Sequence, residues 1–81
     1  MVLPKGLSTA TAALVVKVLQ AEDGDLSAAE TAERVGISRV SARRYLEHLC
    51  STGQARQGLR YGTSGRPEHR YRWGSSERQR G

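Results

Sequence analysis

The spacing of apolar residues predicts a mainly α chain in which three helices are followed by a small two-stranded β-hairpin. Two observations carry that prediction. Apolar residues recur with a period near 3.6 as far as Gly53 and with a period of two beyond it. A serine stands just ahead of each helical stretch, in the position that caps a helix N-terminus. The length of 81 residues fits one small domain, and a chain of this size buries only ~60% of its unfolded surface. With no Phe, one Trp and three Tyr, aliphatic side chains must supply most of the core.

Residues 1–7 are expected to lead into the domain, with Pro4 and Gly6 opposing helix and Leu3 and Leu7 able to pack down. Ser8 or Thr9 caps a first helix reaching about Ala21, with a stripe of Thr11, Leu14, Val15, Val18 and Leu19. Asp23-Gly24-Asp25 is expected to stop it, Gly24 taking the left-handed conformation. Ser27-Ala28-Ala29-Glu30 reads as a capping box for a short helix from Ala28 to Val35, facing inward through Ala28, Thr31, Ala32 and Val35. Gly36 breaks that helix. Ser38 caps a third helix to about Ser51, with Ala42, Tyr45, Leu46 and Leu49 on one face and Val40, Arg43, Arg44 and Glu47 on the other. After Gly53, Ala55, Gln57, Leu59 and Tyr61 alternate with Arg56, Gly58 and Arg60. His69, Tyr71 and Trp73 then alternate with Arg70 and Arg72. Both stretches read as strands with one apolar or aromatic face and one arginine face. The domain is therefore expected over residues 8–73, with residues 62–68 as a projecting hairpin loop and 74–81 as a disordered polar tail.

The formal charge of +5 conceals an asymmetry. Residues 1–33 hold two lysines against five carboxylates, and residues 34–81 hold eleven arginines, no lysine and three glutamates. A planar guanidinium fork suits phosphates and guanine edges better than the point charge of lysine does. A solvated basic surface is the plainer reading of such a run. No apolar stretch approaches the roughly 20 residues needed to span a bilayer, and no secretory signal opens the chain. One cysteine, Cys50, excludes an internal disulfide framework and makes the reducing cytoplasm the default location.

A short helix, a glycine turn, a longer helix and an arginine-bearing hairpin together form a winged helix-turn-helix pattern. Ala32 is small where the two helices cross, Gly36 turns the chain and Ile37 plugs the joint. The longer helix can then enter a major groove about 12 Å wide, N-terminal end first. That end offers Ser38, Arg39, Val40, Ser41, Arg43 and Arg44, with no acid before Glu47. Arg66, between Gly65 and Pro67 in the wing loop, suits a narrow minor groove, although glycine and proline alone would shape such a loop around a solvated arginine. Arg60, Arg70 and Arg72 are candidates for phosphate contacts, or else form the wet side of the hairpin. The other reading of the whole is a winged-helix module that binds protein or structured RNA. An apolar stripe on the exposed face of the longer helix would favour it, and only Val40 is apolar there.

The string Gly36-Ile37-Ser38-Arg39-Val40-Ser41-Ala42-Arg43-Arg44-Tyr45-Leu46-Glu47-His48-Leu49, followed by Arg60-Tyr61-Gly62-Thr63-Ser64-Gly65-Arg66-Pro67-Glu68-His69-Arg70-Tyr71, resembles the C-terminal output domain of citrate/malate-type two-component response regulators. Leu3-Pro4-Lys5-Gly6-Leu7-Ser8 is similar to the start of that domain. The likeness covers about residues 3–73. It implies bacterial transcription regulation through sequence-specific binding of double-stranded promoter DNA, with Ser38 to Arg44 on the groove-reading helix and Arg66 at the wing tip. It also implies a receiver domain in the full-length protein, phosphorylated in answer to a carboxylate sensor. The receiver pattern is missing from these residues, so an excised domain is expected rather than a stand-alone relative. Such a fragment is expected to be monomeric or weakly dimeric, and the full-length protein a dimer on DNA.

Catalysis would need reactive groups that converge. His48 and Cys50 stand two apart on one helix and do not face each other. Cys50, His48 and His69 lack the ligand spacing of a metal site. No glycine-rich phosphate loop follows a strand. Neither enzymatic activity nor a cofactor is expected, and Tyr71 and Trp73 are expected to cover the helices rather than stack on single-stranded bases.

Overall fold

The computed structural model describes residues 3–61 and 67–74, apart from the side chain of Tyr61. The wing-loop residue Arg66 and the tail after Gly74 lie outside the described residues. The element order is α1 (Thr9–Ala21), β1 (Leu26–Ser27), α2 (Ala28–Val35), α3 (Arg39–Ser51), β2 (Ala55–Tyr61) and β3 (Pro67–Trp73). The strands form one antiparallel sheet in the order β1-β3-β2.

Each helix begins where a serine side chain satisfies an amide that the helix leaves without a partner. The Ser8 hydroxyl accepts from the Thr11 amide at 3.0 Å, and Ser38 accepts from Ser41 at 3.1 Å. At α2 the capping box is complete. The Glu30 amide donates to the Ser27 hydroxyl at 3.1 Å, and the Ser27 amide donates to the Glu30 carboxylate at 2.9 Å. Gly36, with φ at +89°, ends α2 in the left-handed region and lets the Gly36 and Ile37 amides both donate to the Ala32 carbonyl.

The core is built from Ala12, Val15 and Leu19 of α1, Leu26 of β1, Tyr45, Leu46 and Leu49 of α3, Ala55 of β2 and Tyr71 of β3. Buried Thr31 and Ala32 of α2 and Ala42 of α3 lie where the helix pair crosses. The first helix is rotated from the expected stripe. Ala12 is buried and Leu14 is 49% exposed, because α1 packs along 12, 15 and 19 and leaves residue 14 to solvent. Gly24 is not left-handed. The helix stops instead at Glu22, which is already extended and whose amide donates back to Leu19.

The sheet has three strands rather than two. Leu26 pairs with Tyr71 and Ser27 with Arg70, so the two residues ahead of α2 form the outer strand. Two residues carry no alternation from which a strand is read. The hairpin pairs from Ala55↔Trp73 to Tyr61↔Pro67, and its two halves differ. Near the helices, Ala55 and Tyr71 are buried and Trp73 packs on the core. Farther out, Leu59 is 57% exposed and His69 is exposed as well. The expected continuous apolar face ends there because the hairpin projects past the helices that would cover it.

Candidate nucleic-acid interface

Burying Ala42, Tyr45, Leu46 and Leu49 fixes the rotation of α3 and so decides which residues its outer face presents. Arg39, Val40 and Arg43 lie on that face, and Val40 is 71% exposed. No acidic residue stands in the first turn, so the arginines add to the positive end of the helix dipole. Ser38 is committed to capping, and Ser41 is half-buried with its amide bound to Ser38.

Arg43 and Arg44 are neighbours in the chain but point to different sides, since successive helical residues are about 100° apart. Arg43 Nε donates to the Glu47 carboxylate at 2.8 Å. That hydrogen bond and the charge of Glu47 raise the guanidinium pKa above its ordinary value. Arg44 Nη2 instead donates to the Lys5 carbonyl at 3.0 Å. Its guanidinium lies against Gly6, where a Cβ would sit 3.2 Å from Nη1. Gly6 has φ at +90°, so both the close approach and the backbone favour glycine. The Ser8 amide donates to the Tyr45 hydroxyl at 2.7 Å, which lowers the phenol pKa. Two consecutive α3 side chains therefore fasten the segment that leads into α1.

The hairpin arginines have partners too. Arg70 Nε donates to Asp25 at 3.0 Å, and its other nitrogens lie 3.2 Å from Glu30 and Glu68 carboxylate oxygens and from the Asp25 carbonyl. Its side chain is 12% exposed. Burial opposes its charge, but the Asp25 hydrogen bond and the three carboxylates outweigh burial and raise its pKa. Arg60 approaches Asp25 at 3.5 Å, and Arg72 reaches the Asp23 carbonyl at 3.4 Å, both while exposed. The Asp23–Asp25 segment, read only as a helix stop, is thus the anchor of the hairpin.

Between α3 and the hairpin runs a groove of about 280 Å³ that the sequence did not announce. Arg39, Val40 and Arg43 form one wall, and Glu68, His69 and Tyr71 form the other. Gln57 Nε2 contacts His69 Nδ1 across the hairpin. Among the described residues no group of three or more His, Cys, Asp or Glu is placed to hold a metal ion. No described helix is long and apolar enough to cross a membrane.

Comparison with known proteins gives the family and the fold. Residues 8–58 match the family model of the IclR helix-turn-helix domain. Over 69 residues, 85% of the chain, the sequence is 44% identical to the transcriptional regulatory protein CitT of Bacillus subtilis (strain 168). It is 46% identical, again over 69 residues, to the probable C4-dicarboxylate response regulator DctR of the same organism. The identity is 41% over 71 residues to the transcriptional regulatory protein DcuR of Escherichia coli (strain K12). The chain spans 30% of the length of each of these relatives. A solved structure described as a possible transcriptional regulator from Methanosarcina mazei Go1 shares the fold, with a TM-score of 0.74 at 16% identity. The match covers 91% of this chain and 62% of that one.

Proposed function

We propose that this chain, which belongs to the IclR helix-turn-helix domain family, is the DNA-binding output domain of a bacterial two-component response regulator. The observation that carries the reading is the outer face of α3. Arg39, Val40 and Arg43 stand together at the N-terminal half of a helix whose opposite face is locked into the core. In a major groove, the arginines reach guanine O6 and N7, and Val40 reaches a thymine methyl. The Ser38 hydroxyl and the Ser41 amide are engaged in the cap, so contacts from this pair would come from the Ser41 hydroxyl or from a proton donated by Ser38. Arg44, held to Lys5, contributes by setting the segment ahead of α1. Arg60 and Arg72 are exposed enough to neutralise phosphates, while Arg70 supports the sheet. Arg66 would approach the minor groove from the wing loop.

One relative is named as a probable C4-dicarboxylate response regulator, which suggests a carboxylate signal delivered through a receiver domain outside these residues. The work is cytoplasmic and non-enzymatic. This domain by itself is monomeric or weakly dimeric, and affinity in a whole regulator comes from pairing two domains on two half-sites.

Selection of random duplexes on the domain at two salt concentrations tests the proposal. Enrichment of a defined half-site, with binding that falls steeply as salt rises, is the expected result. A selection that enriches no duplex sequence overturns it and favours a winged-helix module for protein or RNA.

A further inference from the structure

Residues 3–8 form a strap that leads into α1 and is fastened to the middle of α3. Pro4 to Leu7 make a turn in which the Leu7 amide donates to the Pro4 carbonyl at 3.1 Å. Gly6 stands third in that turn with φ at +90°, a conformation that glycine takes freely and β-branched side chains resist. Arg44 Nη2 holds the turn from α3 by donating to the Lys5 carbonyl. Leu3 and Leu7, either side of the clasp, pack against the core. Ser8 then serves two helices at once. Its hydroxyl and carbonyl accept from the Thr11 and Ala12 amides of α1, and its own amide donates to the Tyr45 hydroxyl of α3. The Tyr45 bond is half-buried and the Arg44 bond is exposed.

We propose that the strap is a positioning element for the reading helix: closed on Arg44 and Tyr45 it holds α3 in the pose that binds the duplex, and bound duplex in turn holds it closed. This role rests on the DNA-binding reading above and adds to it residues that stand off the reading face. Arg43, which that reading aims at bases, immediately precedes the two residues that carry the strap. Arg43 and Arg44 leave the helix about 100° apart, so the strap grips α3 from the side and leaves the reading face open. Opening it removes the polar links between the first turn of α1 and the middle of α3, and α3 is then freer to shift against α1. An exposed hydrogen bond such as that of Arg44 opens readily, which makes the strap a local and reversible element. Tension on the chain ahead of Leu3 therefore reaches α3 through two adjacent side chains. Coupling of this kind is reciprocal. The factor by which an open strap weakens duplex binding is also the factor by which bound duplex slows opening of the strap.

Gly6→Val opens the strap and leaves every residue of α3 and the hairpin in place. Valine resists the left-handed turn, and its Cβ would sit 3.2 Å from Arg44 Nη1. Tyr45→Phe keeps the buried ring and removes the acceptor of the Ser8 amide. Each variant, once urea unfolding shows it to be folded, is expected to lose about three- to fivefold in affinity for the selected duplex, the low end of coupling between separated groups. In the wild type, hydrogen exchange at the Leu7 and Ser8 amides is expected to slow on duplex binding by the same factor. Lys5→Gln, which removes a charge from the strap and keeps the carbonyl that Arg44 holds, is expected to bind like the wild type. Wild-type affinity in either folded variant overturns the proposal. So does strap exchange that the duplex leaves unchanged, since the coupling must act in both directions. A Lys5→Gln loss as large as that of Gly6→Val overturns it too, because the strap then touches the duplex itself. If Gly6→Val does not fold, Tyr45→Phe and the exchange measurement decide the matter. A wild type that enriches no duplex removes the DNA-binding reading, whereas a binding wild type matched by its folded variants removes only the role of the strap.

Discussion

Arg43 on α3 and Arg70 on β3 both pair with carboxylates, yet the Arg43 side chain is 60% exposed and that of Arg70 is 12% exposed. Among the described residues Arg43 has one partner, Glu47, an exposed residue one turn along the same helix. Such a pair adds little to stability and is easily exchanged for another anion. Arg70 has three carboxylate partners on three parts of the chain, Asp25 before β1, Glu30 in α2 and Glu68 in β3. Removing it leaves those carboxylates crowded together without their cation. The same side chain is thus left open to solvent in one place and built into the architecture in the other. The difference lies in how many elements converge on it.

Substituting the two arginines tests that comparison most directly. Arg70→Met is expected to destabilise the fold by about 2 kcal/mol, less than a fully buried pair would lose because Glu30 and Glu68 remain half in water. Urea unfolding measures this, and an unchanged midpoint would show that the network adds nothing. Arg43→Ala is expected to do the reverse, with unfolding unchanged and affinity for the selected duplex reduced about ten- to a hundredfold, the range of a lost bidentate base contact. Wild-type affinity in that variant would remove Arg43 from the reading face.

Two smaller effects sharpen the contrast within α3 itself. Arg44→Ala is expected to cost under about 1 kcal/mol of stability, the scale of one exposed hydrogen bond, and to speed proteolysis ahead of Ser8. Its effect on DNA affinity should be well below that of Arg43→Ala. An equal effect would mean that Arg44 leaves Lys5 to contact the duplex. On the inner side, Cys50 is partly buried, and burial followed by the charge of Glu47 raises its thiol pKa. The thiolate is the reactive form, so alkylation at pH 8 is expected to be slower than for a free thiol and to accelerate in urea. Equal rates in both states would show that the helix does not shelter it.

The helices were legible because their signals are local. A capping serine, a glycine at a left-handed turn and a 3.6-residue apolar period each act within a few residues, and α2 and α3 end where those signals place them. The outward face of α3 followed from the same periodicity. Where the signals were weaker, packing decided. Ala12 displaced Leu14 from the core, β1 formed from two residues with no readable period, and Leu59 stayed in water because no helix extends far enough to cover it.

By itself the sequence determined the order of the elements, the lysine-free basic half and the arginines on the third helix. It did so because helix periodicity and charge are properties of neighbouring residues. Only the tertiary structure decided what each arginine does. Arg44 meets a carbonyl 39 residues earlier, and Arg70 meets a carboxylate 45 residues earlier. Such distances in the chain carry no local pattern. The same holds for the burial of the Tyr71 hydroxyl, which exists only once distant parts of the chain have closed around it.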